Sequence, residues 1–348
     1  MRRDKLTFAM ILAIPLMQIL LFGYAINTDV RNLTTAVADE ANTHRSRQLI
    51  SELQQTQVTN ITLRVATAGE LQSLLRAGRI SVGVHIPPDF DRRIVDPERA
   101  AIHLLTDGSD PTIGGIVDAL KQMPLTFDTT PEQDRKEQVE VRTYYNPERR
   151  TPVNIIPGLI GVILTMTMMI FTAVAIVRER ERGNLELLIN TPVTSAELMI
   201  GKVVPYIAIG MLQLAVVLVA GDLLFDVPVR GSIVELYLAA SLFIAANLAL
   251  GLFVSTAVST QFQAMQMTFF LLLPSILLSG FVFPFDGMPR FAQYLGEALP
   301  ITHFIRLARG IMLREADLLS MTGALAYLAL FSTVAITAAA LRFSKRLD

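Results

Sequence analysis

The residues able to do chemistry are few in this sequence, and their spacing does not predict a catalytic or metal site. Two acidic pairs, Asp39 with Glu40 and Asp107 with Asp110, lie beside apolar runs. Neither pair fits a calcium-binding loop, and in TDGSDPT an Asp110 followed by Pro111 is typical of a helix cap and the first helical position. The four histidines are scattered without the spacing of metal ligands. We therefore expect no catalytic residue, metal ion or bound cofactor in this chain.

Motifs for phosphate binding and for hydrolysis are also missing from the sequence. Gly201 and Lys202 are followed by Val203 and lack the earlier glycine of a phosphate-binding loop. No H-E-x-x-H motif occurs, and no cysteine is available to form a disulfide, to bind metal or to act as a nucleophile. If the protein works by ATP, another polypeptide must hydrolyse it.

A dense charged stretch between two charge-free stretches is the strongest local signal. It reads VRERERGNLELLINTPVTSAELMIGK, from Val177 to Lys202. Its first part predicts a helix with Leu185 and Leu188 on one face and charges opposite, suited to a membrane surface or a protein groove. Pro192 ends that helix, and TSAE predicts the cap of the next one. We interpret 178–202 as a helix–break–helix elbow that docks a partner; the alternative is a solvated charged turn.

The elements that position this elbow are predicted membrane spans. Apolar residues make up 52% of the chain and charged residues only 18%, against about 25% charged in soluble domains. A span needs about 20 apolar residues. Long charge-free stretches, the first from Leu6 to Thr28, predict spans at 1–28 and at about 153–177, 203–222, 236–256, 262–283 and 318–341. We therefore expect an α-helical polytopic membrane protein with six transmembrane helices.

The distribution of Lys and Arg predicts the orientation of these spans. The first apolar run is too long for a cleavable signal, so we interpret it as an uncleaved anchor. With the N-terminus inside, ten Lys and Arg flank the spans on the cytoplasmic side and five lie in the short outer loops. This bias places both termini in the cytoplasm.

Residues 29–150 separate the first two spans and carry a different pattern. Runs such as LTTAVA, NITLRVA and RISVGVHIP alternate with helical segments such as THRSRQLISELQ and AGELQSLLRAG. Strands alternating with helices predict an α/β fold with a parallel or mixed sheet. We expect an inserted α/β extracytoplasmic domain at 29–150, followed by a transmembrane domain at 151–348.

The interiors of the predicted spans carry no ionisable side chain. Ion-driven carriers generally place such groups at membrane depth, so this pattern argues against ion coupling. The polar side chains that do lie in the spans are Gln18, Gln213, Asn247, Gln263 and Gln266. These residues either join helices by hydrogen bonds or line a substrate path.

The region Leu272–Leu319, which starts inside the fifth predicted span and reaches the sixth, has its own pattern. Prolines interrupt its apolar sequence at positions 274, 284, 289 and 300, so a single straight helix is not expected. Arg306 and Arg309 share one helix face, which suits an interfacial or re-entrant helix. That helix would either anchor the chain at lipid headgroups or take part in gating.

The charged elbow resembles the coupling segment of type-2 ATP-binding-cassette (ABC) exporter permeases. That family's pattern is roughly E-x-E-R-G-T-x-E-x-L-x-x-[ST]-P followed by G-K, and Asn184 stands where the family commonly has threonine. Three further stretches are similar to the family: FGYAINTDVRNL, LLPSILLSGFVFPFDGMP and LPITHFIRLARGIMLRE. The matching elbow residues are Glu179, Glu181, Arg182, Gly183, Glu186, Leu188, Thr191, Pro192, Gly201 and Lys202.

The resemblance implies a half-transporter that exports a drug-like or hydrophobic small molecule. Two six-span permeases, identical copies or sister chains, would form the pathway in the lipid of a bacterial cytoplasmic (inner) membrane. A cytosolic ABC ATPase subunit would hold ATP and Mg and receive each elbow, and a periplasmic adaptor would meet the outer domain in some relatives. Nucleic acid is not an expected partner.

Other functions remain as alternatives at this point. An envelope anchor or receptor would present an outer domain without transport, but one or two spans and no elbow would serve it. An ion-coupled carrier and a membrane-embedded hydrolase conflict with the uncharged spans. Sodium or a lipid-like molecule is an alternative export substrate.

Overall fold

The computed structural model describes residues 33–56, 58–96, 99–109, 139–148, 150–182, 195–283 and 285–342. The first predicted span, at 1–28, lies outside these residues. The described chain has two parts, an α/β region that ends at 148 and a bundle of long helices that begins at 151.

The α/β region contains a five-stranded sheet in the order β2-β1-β3-β4-β5. The pairs β1–β2, β1–β3 and β4–β5 are parallel and β3–β4 is antiparallel. The sheet is therefore mixed, which is one of the two arrangements, parallel or mixed, that the sequence predicts. The elements are β1 Leu33–Asp39, α1 His44–Gln55, β2 Thr59–Val65, α2 Ala68–Arg76, β3 Val82–Ile86, α3 Phe90–Arg93, β4 Ile102–Asp107 and β5 Val139–Tyr144.

Helices cover both faces of this sheet because successive strand residues point to opposite sides. On β1, Val37 packs in one cluster with Leu49 of α1, while its neighbour Ala36 packs in another with Leu71 of α2. Thr43 caps α1 by accepting a hydrogen bond from the Ser46 amide at 3.2 Å, which fixes where the helix begins.

The bundle contains five helices long and apolar enough to cross a membrane among the described residues. They coincide with the second to sixth predicted spans. The helical elements are α4 Thr151–Glu181, α5 Ser195–Phe225, α6 Ile233–Ala257, α7 Gln261–Leu278, α8 Arg290–Glu297, α9 Pro300–Arg314, a 3₁₀ turn Leu318–Met321 and α10 Thr322–Arg342.

Small residues let the helices of the bundle approach one another closely. A Cβ atom at Gly251 of α6 would lie 2.7 Å from the backbone oxygen of Met169 on α4. A Cβ at Gly210 of α5 would lie 2.8 Å from the Ile244 side chain of α6. Helices in membranes associate through such close packing, since lipid gives no hydrophobic force between them.

The segment between α7 and α10 forms two short helices, as the prolines predict. Pro274 lies inside α7, which continues to Leu278, so the break falls after the proline rather than at it. Helix α9 is buried: Phe304 stacks on Phe243 of α6 with ring centroids 4.3 Å apart, and Gly161 of α4 faces Phe304. Helix α9 is therefore packed into one end of the bundle, against α4 and α6.

Candidate functional site

The charged end of α4 is attached to the connection between α6 and α7. Arg180 donates hydrogen bonds from Nη1 to the carbonyl oxygens of Ser255 and Val258, each at 3.1 Å. The last carbonyls of a helix have no partner within the helix. Arg180 therefore occupies carbonyl acceptors at the end of α6 and ties that end to α4.

Glu181 makes the matching attachment to the start of α7. Its carboxylate accepts a hydrogen bond from the backbone N–H of Gln261 at 3.0 Å and a second from the Gln261 side-chain amide. A carboxylate is also favoured by the partial positive charge at a helix N-terminus. Two consecutive charged residues of the predicted elbow, Arg180 and Glu181, thus hold the end of α4 to α6 and to α7.

The remaining elbow residues are only partly described. Glu179 is half-buried, and Arg182 ends α4 with its backbone N–H directed to the Arg178 and Arg180 carbonyls. The predicted elbow residues Gly183, Glu186, Leu188 and Pro192 lie outside the described residues. Helix α5 begins at Ser195, within the predicted TSAE cap. The docking role of the elbow stays a prediction.

The polar side chains of the spans have different partners and do not make one described site. Gln213 of α5 accepts a hydrogen bond from the Thr167 hydroxyl of α4 at 2.8 Å, so it joins two helices. Gln263 accepts from the Ser259 backbone at 2.9 Å and belongs to the α6–α7 turn. Gln18 lies outside the described residues.

Asn247 and Gln266 are the polar span residues that keep a candidate role in the substrate path. Asn247 is fully buried and donates to the Phe243 carbonyl at 2.9 Å within α6. Its Oδ1 atom, like Oε1 of Gln266, is buried without a hydrogen-bond partner in the described part of the chain. A buried acceptor of this kind is costly unless a ligand, water or second subunit satisfies it.

The opposite end of the bundle carries a buried ion pair that the sequence analysis missed. Arg314, at the end of α9, donates from Nη1 to Oδ2 of Asp107 at the end of β4, at 3.0 Å. The two side chains are 10% and 6% exposed. Gly78 makes room for the guanidinium: its φ is +66°, and a Cβ there would lie 2.7 Å from Nη2 of Arg314.

Three surface contacts flank this ion pair. Arg76 of α2 donates to the backbone oxygen of Glu315 at 2.6 Å. Asp286, in the connection between α7 and α8, accepts from the Ser81 hydroxyl at 2.9 Å and the Thr34 hydroxyl at 3.4 Å. The α/β region is therefore attached to the α8–α9 hairpin and the connection before it.

Arg306 and Arg309 of α9 have intramolecular partners. Arg306 forms two hydrogen bonds with the Glu297 carboxylate, at 2.6 and 3.0 Å, and its guanidinium lies 4.5 Å from the Phe285 ring centroid. Arg309 donates to the Gly280 carbonyl at 3.2 Å. These contacts hold α9 to α8 and to the connection between α7 and α8. They do not distinguish between the two predicted roles of this helix, anchoring at lipid headgroups and gating.

Among the described residues, no group of three or more His, Asp and Glu side chains is arranged so that it could hold a metal ion. A family model named ABC-2 family transporter protein matches residues 5–341. This chain belongs to the ABC-2 transporter family. The resemblance carried by the elbow and the other stretches is thereby confirmed.

Several relatives of this ABC-2 chain are named as permeases. It is 30% identical over 322 residues to "Probable multidrug ABC transporter permease YbhR" of Escherichia coli K12, covering 91% of this chain and 87% of the relative. It is also 30% identical to "Probable multidrug ABC transporter permease YbhS" of the same strain, covering 89% and 85%. The five described spans and these relatives indicate a multi-pass membrane protein with a transport permease role.

More distant similarity extends to a longer eukaryotic protein. The ABC-2 chain is 23% identical over 330 residues to "ABC transporter G family member 20" of Dictyostelium discoideum, covering 91% of this chain and 45% of that protein. No solved structure matches the chain significantly.

Proposed function

We propose that this ABC-2 protein is the membrane-spanning subunit of an exporter that moves a drug-like or hydrophobic small molecule out of the cytoplasm. The energy comes from ATP, which is hydrolysed with Mg in a separate cytosolic ABC ATPase subunit. Two features of the sequence support the division of labour: the spans carry no ionisable side chain in their interiors, and the chain has no phosphate-binding loop.

The attachment of α4 to α6 and α7 is the observation that carries this proposal. Arg180 binds the end of α6 and Glu181 binds the start of α7. Force applied to the elbow by an ATPase would therefore reach three spans together rather than bend α4 alone. A solvated turn would not need charged side chains fastened to two neighbouring helices.

The exporter is proposed to contain two permease subunits in the bacterial inner membrane, with both termini of each chain in the cytoplasm. Leu212, Val216 and Val219 of α5 are each more than half exposed in the single chain. Such a face suits membrane lipid or a second permease, identical or a sister chain. In this orientation the α/β region is extracytoplasmic, where a periplasmic adaptor would meet it.

Reconstitution of the chain with an ABC ATPase subunit that co-purifies with it tests the proposal. The chain alone should hydrolyse no more ATP than empty vesicles. The complex should export a fluorescent drug on addition of Mg-ATP, and an uncoupler that collapses the proton gradient should leave this export largely unchanged. ATP hydrolysis by the isolated chain, or export that stops with the uncoupler, would contradict the proposal.

A variant at the elbow tests the coupling separately. Gly183→Trp should prevent close docking of the ATPase, so that export is lost while membrane insertion stays near normal. Gly323→Ala is a matched control, because a Cβ at Gly323 meets no atom within 4 Å. Equal export by both variants would show that the elbow is only a solvated turn.

A further inference from the structure

A cavity lies between the α/β region and the bundle, beside the Asp107–Arg314 pair. Its volume is about 500 Å³, within the range of about 300–1,000 Å³ typical of small-molecule sites. Both parts of the molecule line it. Arginines outnumber carboxylates in its lining: the charged side chains are Arg79, Arg306, Arg309, Arg314, Asp107 and Asp286.

The carboxylates of the cavity are already engaged by neighbouring groups. Asp107 pairs with Arg314, and Asp286 accepts hydrogen bonds from Ser81 and Thr34. Arg79 is exposed at the cavity, on the loop that follows α2. Among the arginines, Arg314 is paired with Asp107 and Arg306 with Glu297, which lies outside the lining. The cavity lining therefore has a positive balance of charge, to which Arg79 and Arg309 contribute.

The cavity also has an apolar side, at the level where the last span begins. Gly323 and Ala324 line it at the start of α10, and Met321 lines it from the preceding 3₁₀ turn. Ile305 of α9 and Phe285, in the connection before α8, complete this side. The first residues of a span mark the boundary between lipid headgroups and hydrocarbon. An occupant could thus place an anionic group among the arginines and an apolar body beside the span.

We propose that this cavity binds the phosphate group of an amphiphile. Arginine presents a planar fork of N–H donors that matches phosphate oxygens, and phosphate is the anionic group found at the depth where the cavity lies. The volume exceeds the need of a bare phosphate ion, and the apolar wall accounts for the rest. The site differs from the path between spans and does not depend on the proposed export reaction.

A single tryptophan provides the assay, because the natural chain contains none. Thr322 lines the cavity and is exposed, so Thr322→Trp places the reporter beside it. The purified full chain in detergent is titrated with dihexanoylphosphatidylglycerol, with dihexanoylglycerol, which has the same chains but no phosphate, and with glycerol 3-phosphate. We expect a saturable fluorescence change with the phospholipid and none with dihexanoylglycerol.

Glycerol 3-phosphate separates the two sources of the phosphate group. Binding of the phospholipid that is clearly tighter than that of glycerol 3-phosphate would support an amphiphile held by its phosphate. Binding of glycerol 3-phosphate as tight as that of the phospholipid would indicate a soluble organophosphate and would overturn the role of the apolar wall. An equal response to dihexanoylglycerol, or no saturable response to any probe, would overturn the proposal.

Two variants and a control locate the binding. Arg79→Gln should raise the dissociation constant about tenfold, while Arg79→Lys should retain part of the affinity. Arg92→Gln removes an equally exposed charge from the α/β region outside the cavity lining, and it should change nothing. Equal effects of Arg79→Gln and Arg92→Gln would refute a specific site.

Filling the cavity gives an independent test that does not alter charge. Gly323→Leu projects a side chain into open space, since a Cβ there meets no atom within 4 Å, so the fold should tolerate it. We expect the phospholipid response to disappear and the melting temperature without ligand to stay unchanged. Unaltered binding by Gly323→Leu would place the phospholipid elsewhere.

Discussion

Replacing only one partner of the Asp107–Arg314 pair should detach the α/β region from the α8–α9 hairpin, whereas replacing both partners together should not. The pair joins β4 to α9 at 3.0 Å with both side chains nearly excluded from solvent. Asp107→Asn leaves the arginine charge buried, and Arg314→Met leaves the carboxylate buried. The double variant Asp107→Asn/Arg314→Met removes both charges together.

The expected free-energy cost of each substitution follows from the burial of the ion pair. Removing one partner of a buried ion pair costs about 3–5 kcal/mol because the other charge stays uncompensated, while replacing the whole pair by uncharged groups is often near neutral. Each single variant should therefore raise the population of the detached state at least about a hundredfold. In the double variant the population of the detached state should be close to that of wild type. The coupling energy between the two substitutions should therefore be opposite in sign to the destabilisation that each single substitution causes.

Hydrogen exchange by the full chain in detergent measures this detachment at the two ends of the pair. Amides of β4 and of the last turns of α9 should exchange faster in each single variant and at near wild-type rates in the double variant. Arg76→Gln is the matched control at the same interface, because the Arg76–Glu315 pair is 49% and 64% exposed and is worth about 0–1 kcal/mol.

A glycine variant approaches the same contact from its steric side. Gly78→Ala brings a Cβ to 2.7 Å from the guanidinium and places alanine at a φ of +66°, which costs about 1–2 kcal/mol by itself. Its effect should be smaller in the Arg314→Met background, where the contact is gone. Additive single effects in the ion-pair cycle, or wild-type exchange in both single variants, would refute this reasoning.

Three further outcomes follow from the bundle. Glu181→Lys should abolish export with near-normal membrane insertion, since lysine cannot accept the two hydrogen bonds from Gln261, and Gln261→Ala should weaken export less; normal export by Glu181→Lys would contradict this role. In this cysteine-free chain, Ser51→Cys should react with an impermeant maleimide in intact spheroplasts and Ser259→Cys only after permeabilisation; the reverse labelling would invert the proposed orientation. Gly251→Leu should destabilise the bundle by at least about 1–3 kcal/mol through overpacking against α4, seen as a lower melting temperature in detergent, and an unchanged melting temperature would show that α4 and α6 are not in close contact.

Local sequence patterns predicted most of the described elements because their signals are local. Absence of charge over about 20 residues is enough to place a span, and Ser255–Gln261 marked the turn where α6 gives way to α7. The alternation of strands and helices likewise predicted the sheet. Its order, with β3 antiparallel to β4, depends on pairing between distant segments that no local pattern specifies.

The contacts between distant parts of the chain were beyond local reasoning. Asp107 is the last residue of a strand and precedes a turn-like sequence, and nothing near it points to Arg314, which lies 207 residues away. A glycine at position 78 is a weak sequence signal of a backbone that another group approaches closely. The sequence does not identify that group, and only the structure shows that it is the Arg314 guanidinium. For the elbow, the sequence located the charges at the end of α4, while their attachment to α6 and α7 required the structure.

The ion pair between β4 and α9 closes a linkage that runs through both parts of the protein. Strand β5 pairs along β4 and leads through residues 145–150 into α4, α4 packs on α9 at Gly161, and α9 returns to β4 through Arg314. In a closed linkage no member moves alone: if α9 slides along α4, either the sheet tilts with it or the pair opens. The position of the sheet is thus coupled, through the Asp107–Arg314 pair, to the position of α9 along α4.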